Sequence, residues 1–391
     1  MTLIEYDNLQ NYKIISKIGE GVYSTVYRVE NIHSHKVFAL KVLKMKYQTI
    51  EEISKNEEIL SMLQTGTHPN VVQLHKVIYE PEKSRLSLLI DLMQKNAYEL
   101  IKEYKGGMPE TLALYLLYQI LSGLKHIHSK GLIHRDMKQE NCFVNSDNME
   151  LKIGDFGSAS MLVKEKELTE YIATRWYRAP ECILTRGKYD FKMDTWAAGC
   201  MFYEFLTGRP LFPGKNSIDQ INKIDKILGT PDEETLRKFT APEKFNNFNF
   251  IKYPKAKWSQ LLPKVQNTQI YDLLEKLLAY FPANRITATE AMKHPAFNVL
   301  KNLPMDENGN PIFKENKIVN DQKNNIEFIR AGRMLRTDIP KGSPSFMKKP
   351  RLPCTPPKEG KIKSQITFKP RTNNITFQLP KTTVKFGEKI Q

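Results

Sequence analysis

Two short motifs in the middle of the chain hold residues suited to chemistry on phosphate groups. HRDMKQEN begins at residue 134, and DFG begins at residue 155. Asp136 is suited to accept the proton of a bound hydroxyl, and Lys138 to neutralise a phosphoryl group in transfer. Asn141 and Asp155 carry oxygen ligands of the type that Mg²⁺ prefers. These four side chains therefore predict a site for phosphoryl transfer.

A glycine-containing turn and a strand lysine lie upstream of these motifs. In GEGVYSTV, Gly19 and Gly21 let the backbone approach a phosphate closely, although Ser24 stands where G-x-G-x-x-G has its third glycine. On its own, this run is typical of a β-turn. A lone lysine on a strand, such as Lys41 in FALK, is usually a surface residue. A functional role requires a carboxylate that faces it, and Glu58 is the candidate. Each fragment could occur by chance, but chance does not readily explain all of them in this order and at this spacing.

The elements that must position these residues are a small sheet, one helix and a mainly helical body. Three short segments rich in Val, Ile, Tyr and Phe are predicted strands: residues 12–19, 24–31 and 36–44. A further pair of predicted strands follows later in the chain and ends near Met93. Between the two groups, residues 49–64 have a helical period. Helical patterns dominate from Ala97 onward, so we expect an α+β fold.

The composition indicates a globular protein in a reducing compartment. Of the 391 residues, 40% are hydrophobic and 26% are charged. The four cysteines are far apart and form no C-x-x-C pair, which argues against a zinc site or a disulfide framework. The most apolar stretch is too short to span a bilayer, and the N-terminus shows no secretory signal. We expect a cytoplasmic protein without a membrane partner.

The net charge of +16 belongs mostly to the C-terminal tail. From residue 298 onward the chain has 19 Lys/Arg against 8 Asp/Glu, and it is rich in Asn, Lys and Pro. This composition predicts disorder. A basic tail suits an acidic partner such as nucleic acid, tubulin or an acidic lipid surface. A solvated linker that its charge keeps soluble explains the composition equally well.

Together, the motifs resemble those of eukaryotic protein kinases over residues 12–297. APE at 179–181, DTWAAGC from Asp194 and the late Arg285 complete the set. The lysine of HRDMK resembles that of serine/threonine kinases. TRWYRAPE, RPLFPG and KILGTP resemble the CMGC group, which contains the cyclin-dependent and mitogen-activated kinases. LTEYIATRWYRAPECILT resembles the MAK/MOK branch of that group, and its MOK type in particular.

The resemblance implies a bilobal protein kinase fold. The N-terminal lobe, residues 12–93, would hold a five-stranded antiparallel sheet and one helix, and the C-terminal lobe, residues 97–297, would be mainly helical. Residues 1–11 would form an N-terminal extension, and residues 298–391 a basic, largely disordered tail. We expect a monomer.

The resemblance also implies a binding site for ATP, with Mg²⁺ as the second cofactor. Lys41, held by Glu58, would grip the α- and β-phosphates. The residues expected to enclose the nucleotide are Ile18, Gly19, Glu20, Gly21, Val26, Ala39, Ile90, Asp91, Met93 and Phe143.

The other implied roles concern phosphate transfer and the support beneath it. Asp136 would act as base toward the substrate hydroxyl, Lys138 would stabilise the γ-phosphoryl group, and Asn141 and Asp155 would hold Mg²⁺. Three residues would be structural, tying the activation segment and the catalytic loop to the helical lobe: Glu181, Asp194 and Arg285.

Three residues depart from the family pattern. Gln139 replaces the usual proline of HRDxKPEN, which we expect to cost the catalytic loop some rigidity. Ser24 replaces the third glycine of the turn. Phe143 stands where a leucine is commoner, which predicts a bulkier floor beneath the adenine. None of these changes removes a charge needed for transfer.

Thr169 and Tyr171 resemble the two phosphorylation sites of a kinase activation segment. A phosphate carries roughly two negative charges near neutral pH and orders a loop by recruiting arginines. In the mitogen-activated relatives two arginines bind the phosphotyrosine, and both are present here as Arg175 and Arg178.

In those relatives three arginines bind the phosphothreonine, and this chain has only one of them. Arg135 is kept, but Ser160 and Glu57 stand at the other two places. Arg–phosphate pairs are among the stronger hydrogen bonds. We therefore predict that phosphorylation of Tyr171 supports activity more than phosphorylation of Thr169 does.

The function expected from the sequence is a serine/threonine protein kinase. It would act on Ser/Thr-Pro sites of protein substrates after activation by an upstream kinase. Two other interpretations stay open: a weakly active pseudokinase scaffold, and binding of microtubules or nucleic acid through the basic tail. Relatives in this branch are linked to cilia, so a location in the cilium, flagellum or nucleus is a further expectation.

Overall fold

The computed structural model of the chain describes residues 6–161, 174–185, 188–239, 251–307 and 309–313. Its N-terminal lobe holds one sheet of six strands: β1 (Tyr6–Asp7), β2 (Tyr12–Glu20), β3 (Ser24–Asn31), β4 (Val37–Lys46), β5 (Leu74–Glu80) and β6 (Arg85–Ile90). The strand order is β1-β5-β6-β4-β3-β2. β2 to β6 pair antiparallel, which confirms the predicted five-stranded sheet. β1, from the predicted N-terminal extension, adds a parallel strand beside β5.

The helical region predicted over residues 49–64 is interrupted, giving α1 (Ile50–Ser54) and α2 (Glu57–Thr65). Asn56 starts the second helix, because its side chain accepts a hydrogen bond from the Ile59 amide at 2.9 Å, as an N-cap does. Ile53 and Ile59 are both fully buried against the sheet. The break thus keeps one isoleucine of each helix on the core side, whereas Ile50 and Leu60 are exposed.

The C-terminal lobe is mainly helical, as predicted. Its helices are α3 (Ala97–Lys102), α4 (Glu110–Ser129), α5 (Pro180–Leu184), α6 (Lys192–Thr207), α7 (Ser217–Leu228), α8 (Glu233–Lys238), α9 (Trp258–Leu261), α10 (Gln269–Leu277) and α11 (Ala288–Ala291). Five short strands lie among them: β7 (Lys95–Asn96), β8 (Leu132–Ile133), β9 (Cys142–Asn145), β10 (Glu150–Ile153) and β11 (Ser160–Met161). β9 pairs with β7 and β10, and β8 pairs with β11.

The core of this lobe is built around α4. Eleven of its residues are buried, which is the pattern of a helix enclosed on several sides. It packs against α6 and β10. At Gly123 on α4, a Cβ atom would lie 2.7 Å from the Asn70 carbonyl oxygen, so the close contact needs glycine. In the part of the chain that the structure describes, no helix has the length and apolarity to cross a membrane.

The folded part continues past the tail boundary predicted at residue 298. A 3-10 helix runs from Pro295 to Asn302. The chain then packs on α4, where the Phe313 and Tyr115 rings lie 5.3 Å apart between centroids. Residues 298–307 and 309–313, from the first part of the predicted tail, therefore have described structure, and residues 314–391 lie outside the described part.

Candidate active site

Lys41 is the centre of an ionic cluster between the two lobes. It lies on β4 and pairs in register with Val26 of β3. Its Nζ donates to Glu58 Oε1 at 2.5 Å and to Asp155 Oδ1 at 2.9 Å. Glu58 is buried on α2, with 8% of its surface exposed. The carboxylate that the sequence analysis required opposite Lys41 is therefore in place.

The pKa values of the three charged groups in this cluster depend on their burial and on the charges of their neighbours. Burial alone would lower the pKa of Lys41, but the Glu58 and Asp155 carboxylates outweigh it and raise that pKa. Burial would raise the pKa of Asp155, yet Lys41 brings it below its usual range. Burial dominates at Glu58 and raises its pKa. Lys41 therefore stays a cation near neutral pH, and Asp155 stays an anion able to bind a metal ion.

The β9–β10 hairpin places Asn141 beside Gly154, the residue directly before Asp155. Cys142 pairs with Ile153 in the antiparallel register, so the residues just outside the pair also lie side by side. The Gly154 amide donates to the Asn141 carbonyl at 2.9 Å. Asp155 follows with φ 61°, a left-handed conformation that is uncommon outside glycine. This turn brings its carboxylate back to Lys41.

The donor atoms of this hairpin fit a hard cation. Asn141 donates its Nδ2 to the Asp136 carbonyl at 2.8 Å, which leaves its amide oxygen as the ligand atom. Asp155 supplies a carboxylate. Mg²⁺ is usually bound through one or two such protein groups together with phosphate oxygens. Asn141 and Asp155 therefore suit the Mg²⁺ of a bound nucleotide.

Asp136 is fixed by hydrogen bonds from three directions. Its Oδ2 accepts from Lys138 Nζ at 2.7 Å and from Asn141 Nδ2 at 3.1 Å. Its Oδ1 accepts from the Thr174 amide at 3.1 Å and from the Thr174 hydroxyl at 3.0 Å. The structure thus brings the predicted base, its lysine and one metal ligand together. Thr174 was not among the predicted site residues, and the signal in the sequence that points to it is its place at the start of the TRWYRAPE motif.

Asp194 supports the catalytic loop from beneath, as predicted. It is buried in the first turn of α6 and accepts from the amides of His134 at 2.9 Å and Arg135 at 3.0 Å. His128 Nε2 lies 2.9 Å from the same carboxylate. Burial would raise the pKa of Asp194, but His128 and His134 outweigh it and lower that pKa. The loop's backbone is therefore held by an ionised side chain.

Glu181 and Arg285 form the predicted ion pair between the end of the activation segment and the helical lobe. Arg285 donates to both carboxylate oxygens, at 2.5 and 2.9 Å. Both residues are 1% exposed. The guanidinium carbon of Arg285 also lies 4.9 Å from the centroid of the Trp196 ring. Such a bidentate, buried pair fixes both distance and direction.

The predicted upper wall of the nucleotide site lies on neighbouring strands. Gly19 pairs with Val26, and Val26 with Lys41, across three strands. The Gly21 amide closes the turn onto the Ser24 carbonyl at 2.8 Å. The remaining upper-wall residues occupy β2 and β4: Ile18, Glu20 and Ala39. The Glu20 side chain contacts Lys17 and Lys44, so it stabilises the turn.

Ile90 is the last residue of β6, and the hinge that follows it carries Asp91 and Met93. The Asp91 carboxylate accepts from the Gln73 amide at 3.0 Å, lies 2.8 Å from His75 Nε2, and accepts from Lys152 Nζ at 2.9 Å. Burial would raise the pKa of Asp91, but these hydrogen bonds lower it to about 2. Both the side chain and the amide of Asp91 therefore hold the hinge, because the amide donates to the Gln73 carbonyl at 3.3 Å.

The floor of the site pairs Phe143 with a glycine. A Cβ atom on Gly154 would lie 2.9 Å from the Phe143 ring and 2.9 Å from the Val72 side chain. Real Cβ atoms essentially never approach so closely. The bulkier floor predicted from Phe143 is thus accommodated by the absence of a side chain at Gly154, which sequence analysis did not single out.

Gln139, the departure from the proline pattern, is fully buried. Its Nε2 donates to the Met201 carbonyl at 3.1 Å and lies 3.5 Å from a carboxylate oxygen of Glu204. We expected Gln139 to cost the loop some rigidity. The structure instead gives it side-chain contacts with α6 that a proline could not make.

The two predicted phosphorylation sites, Thr169 and Tyr171, lie outside the described residues. Arg135 Nε donates to the Ser158 carbonyl at 2.6 Å, at the start of the activation segment. Arg175 donates to the Lys215 carbonyl at 2.9 Å, and Arg178 is 3% exposed. The structure thus locates the three predicted phosphate-binding arginines, and their role stays a prediction.

The family of the chain follows from comparison with known sequences. The profile of the protein kinase domain matches residues 12–297. The chain belongs to the protein kinase family. A protein kinase domain uses ATP and a divalent metal ion, and the ionic cluster and the loop around Asp136 described above are its candidate phosphotransfer site.

Individual relatives narrow the type of kinase. The human MAPK/MAK/MRK overlapping kinase is 41% identical over 289 residues, which cover 74% of this chain and 68% of the human protein. Serine/threonine-protein kinase ICK of Rattus norvegicus is 36% identical over 301 residues, which cover 74% of this chain and 46% of that protein. This kinase is therefore a serine/threonine kinase of the MAK/MOK type within the CMGC group.

Proposed function

We propose that this kinase transfers the γ-phosphate of Mg²⁺-bound ATP to Ser or Thr hydroxyls that precede proline in protein substrates. The observation that carries the proposal is the contact of Lys41 with both Glu58, at 2.5 Å, and Asp155, at 2.9 Å. It assembles residues from both lobes in the arrangement that phosphate transfer requires. The same contact disfavours the alternative of a weakly active scaffold.

Each of the site residues has a separate role in the proposed reaction. Lys41 binds the α- and β-phosphates, and Asp136 accepts a hydrogen bond from the substrate hydroxyl. A bond forms between that oxygen and the γ-phosphorus, the bond from γ-phosphorus to the β,γ-bridging oxygen breaks, and Asp136 takes the proton. Lys138 stabilises the charge on the transferring group. When held by Asn141 and Asp155, Mg²⁺ neutralises charge on the phosphates.

The preference for proline is supported by the TRWYRAPE motif at 174–181, which is anchored at Thr174 and at Tyr177. Thr174 binds Asp136, and Tyr177 binds Glu204 at 2.7 Å. The test is a peptide library that varies the residue after a fixed Ser or Thr, phosphorylated by the full chain. We expect proline to be the preferred residue at that place, and equal phosphorylation of all residues there would contradict the preference.

We propose further that the kinase is activated by phosphorylation at Tyr171 and Thr169 by an upstream kinase. The support is the sequence of the segment and the three arginines located above. We also propose a cytoplasmic location, with a role at the cilium or in the nucleus. This location rests on the resemblance alone, and imaging of a fluorescent fusion in ciliated cells tests it.

A second function is favoured by the basic tail. The 19 Lys/Arg against 8 Asp/Glu from residue 298 onward would attract an acidic partner such as tubulin or nucleic acid. This binding is compatible with kinase activity, since the two functions use different parts of the chain.

A further inference from the structure

A buried polar cluster joins the catalytic loop to the segment that precedes α5. It consists of Gln139, Glu204 and Tyr177, which are 0%, 5% and 6% exposed. The Tyr177 hydroxyl donates to Glu204 Oε2 at 2.7 Å. Gln139 Nε2 lies 3.5 Å from the same oxygen and donates to the Met201 carbonyl at 3.1 Å. The cluster therefore links three separate elements: the catalytic loop, α6 and residues 174–178.

The three side chains depend on one another. A carboxyl group removed from water is costly unless hydrogen bonds replace the lost hydration. Burial raises the pKa of Glu204, and the hydrogen bonds from Tyr177 and Gln139 oppose that rise. Moving Tyr177 away would leave Glu204 buried without its shortest hydrogen bond. The fixed position of Glu204 on α6 therefore fixes Tyr177.

Tyr177 belongs to a segment that is attached to the catalytic loop a second time. Thr174, three residues earlier, donates to Asp136 at 3.0 Å, and Gln139 follows Asp136 by three residues. Between the two anchors, Trp176 Nε1 donates to the Gly214 carbonyl at 3.3 Å. Residues 174–178 are thus held at Asp136 on one side and through the buried cluster on the other.

We propose that Gln139 and Glu204 are positioning residues that act through Tyr177 to hold residues 174–178 in place for binding of the peptide substrate. This inference rests on the proposed role of Asp136 as the base toward that substrate. Gln139, which replaces the usual proline of the loop, thereby becomes part of the support for substrate recognition.

The test uses the full chain with Gln139→Leu, Tyr177→Phe and the double variant. We measure kcat and KM with a Ser-Pro peptide, KM for ATP, and thermal unfolding. Each single variant is expected to raise the peptide KM by about three- to tenfold, the effect of one lost hydrogen bond, while KM for ATP stays within about twofold. The double variant is expected to show no more than the larger single effect, because both changes break one link.

Several outcomes would overturn the proposal. Unfolding at lower temperature with both KM values unchanged would make the cluster only structural. Single effects that multiply in the double variant would show that Gln139 and Tyr177 act independently. If the wild type phosphorylates no peptide, the proposed function itself fails, and amide exchange then decides on the cluster. Faster exchange of residues 174–178 in Gln139→Leu supports it, and unchanged exchange overturns it.

Discussion

At the residue scale, the floor of the nucleotide site depends on a large side chain at Phe143 that packs against a glycine, Gly154. Phe143 fills the floor with a ring, and Gly154 makes room for it. A Cβ atom at position 154 would lie 2.9 Å from both the Phe143 ring and Val72. Gly154 also stands directly before Asp155, so any backbone shift that relieves such a clash moves the predicted metal ligand.

This match gives a prediction about ATP binding. Gly154→Ala is expected to weaken ATP binding by about tenfold, since overpacking a filled site costs about 1 kcal/mol or more. Adding Phe143→Leu is expected to restore much of the affinity, because the smaller side chain leaves space for the new methyl group. Calorimetric titration of both variants with ATP and Mg²⁺ measures this. The prediction fails if Gly154→Ala binds as wild type does, or if Phe143→Leu gives no recovery.

At the element scale, the hinge is held by a carboxylate that reaches both lobes. Asp91 binds His75 of β5 at 2.8 Å and Lys152 of β10 at 2.9 Å. The Phe38 ring packs edge-on against His75, with centroids 5.0 Å apart, which steadies that imidazole. These contacts connect the sheet of the N-terminal lobe with the β9–β10 hairpin, which ends two residues before Asp155.

The hinge contacts predict a pH-dependent stability. The folded-state pKa of Asp91, about 2, lies below the ordinary value of 3.8. Its contribution is therefore complete above about pH 4 and is lost as the pH falls toward 2. Asp91→Asn is expected to lower the free energy of unfolding by about 1–2 kcal/mol at pH 7, and by less at pH 3.

Denaturant unfolding at the two pH values measures this loss. Glu150→Gln is the matched control, because Glu150 lies farther from the same Lys152, at 3.8 Å. An equal loss for Asp91→Asn at both pH values, or an equal loss for the two variants, would contradict the role given to Asp91.

The activation segment gives a prediction about the two proposed phosphorylation sites, Thr169 and Tyr171. Tyr171→Phe is expected to reduce the activity of the activated kinase more than Thr169→Ala does. Arg175 and Arg178 are present for a phosphotyrosine, whereas the exposed acid Glu57 would repel a phosphothreonine. Initial rates on a Ser-Pro peptide measure this. A threonine variant more impaired than the tyrosine variant would contradict the prediction.

The sequence predicted the elements and motif residues because these depend on local patterns. The strand segments rich in Val, Ile, Tyr and Phe, the apolar α4 and the order of HRDMKQEN and DFG are all visible along the chain. Other features depend on contacts between residues far apart in sequence. From the sequence alone, Gln139 predicted a less rigid loop. In the structure, Gln139 lies beside Glu204, which is 65 positions later in the chain. The Asn56 cap and the fit of Gly154 to Phe143 likewise need the folded geometry.

At the scale of the whole molecule, a folded kinase precedes a strongly basic tail. A chain ending at Phe313 is expected to lose salt-sensitive binding to acidic polymers that the full chain shows, because most of the excess positive charge lies beyond it. Binding of both forms to polyglutamate at low and moderate salt measures this. Equal binding by the two forms would show that the tail is a solvated linker.

The central claim is that Lys41, Glu58, Asp136 and Asp155 form a working phosphotransfer site. The most direct test is the initial rate of phosphate transfer from ATP to a Ser-Pro peptide with Mg²⁺, for the activated full chain and for Asp155→Asn. That variant keeps the size of the side chain and removes its charge, and thermal unfolding checks that it is folded. We predict turnover of about 1–100 per second for the wild type and at least about a hundredfold loss in the variant. A wild type no faster than a folded Asp155→Asn would contradict the account.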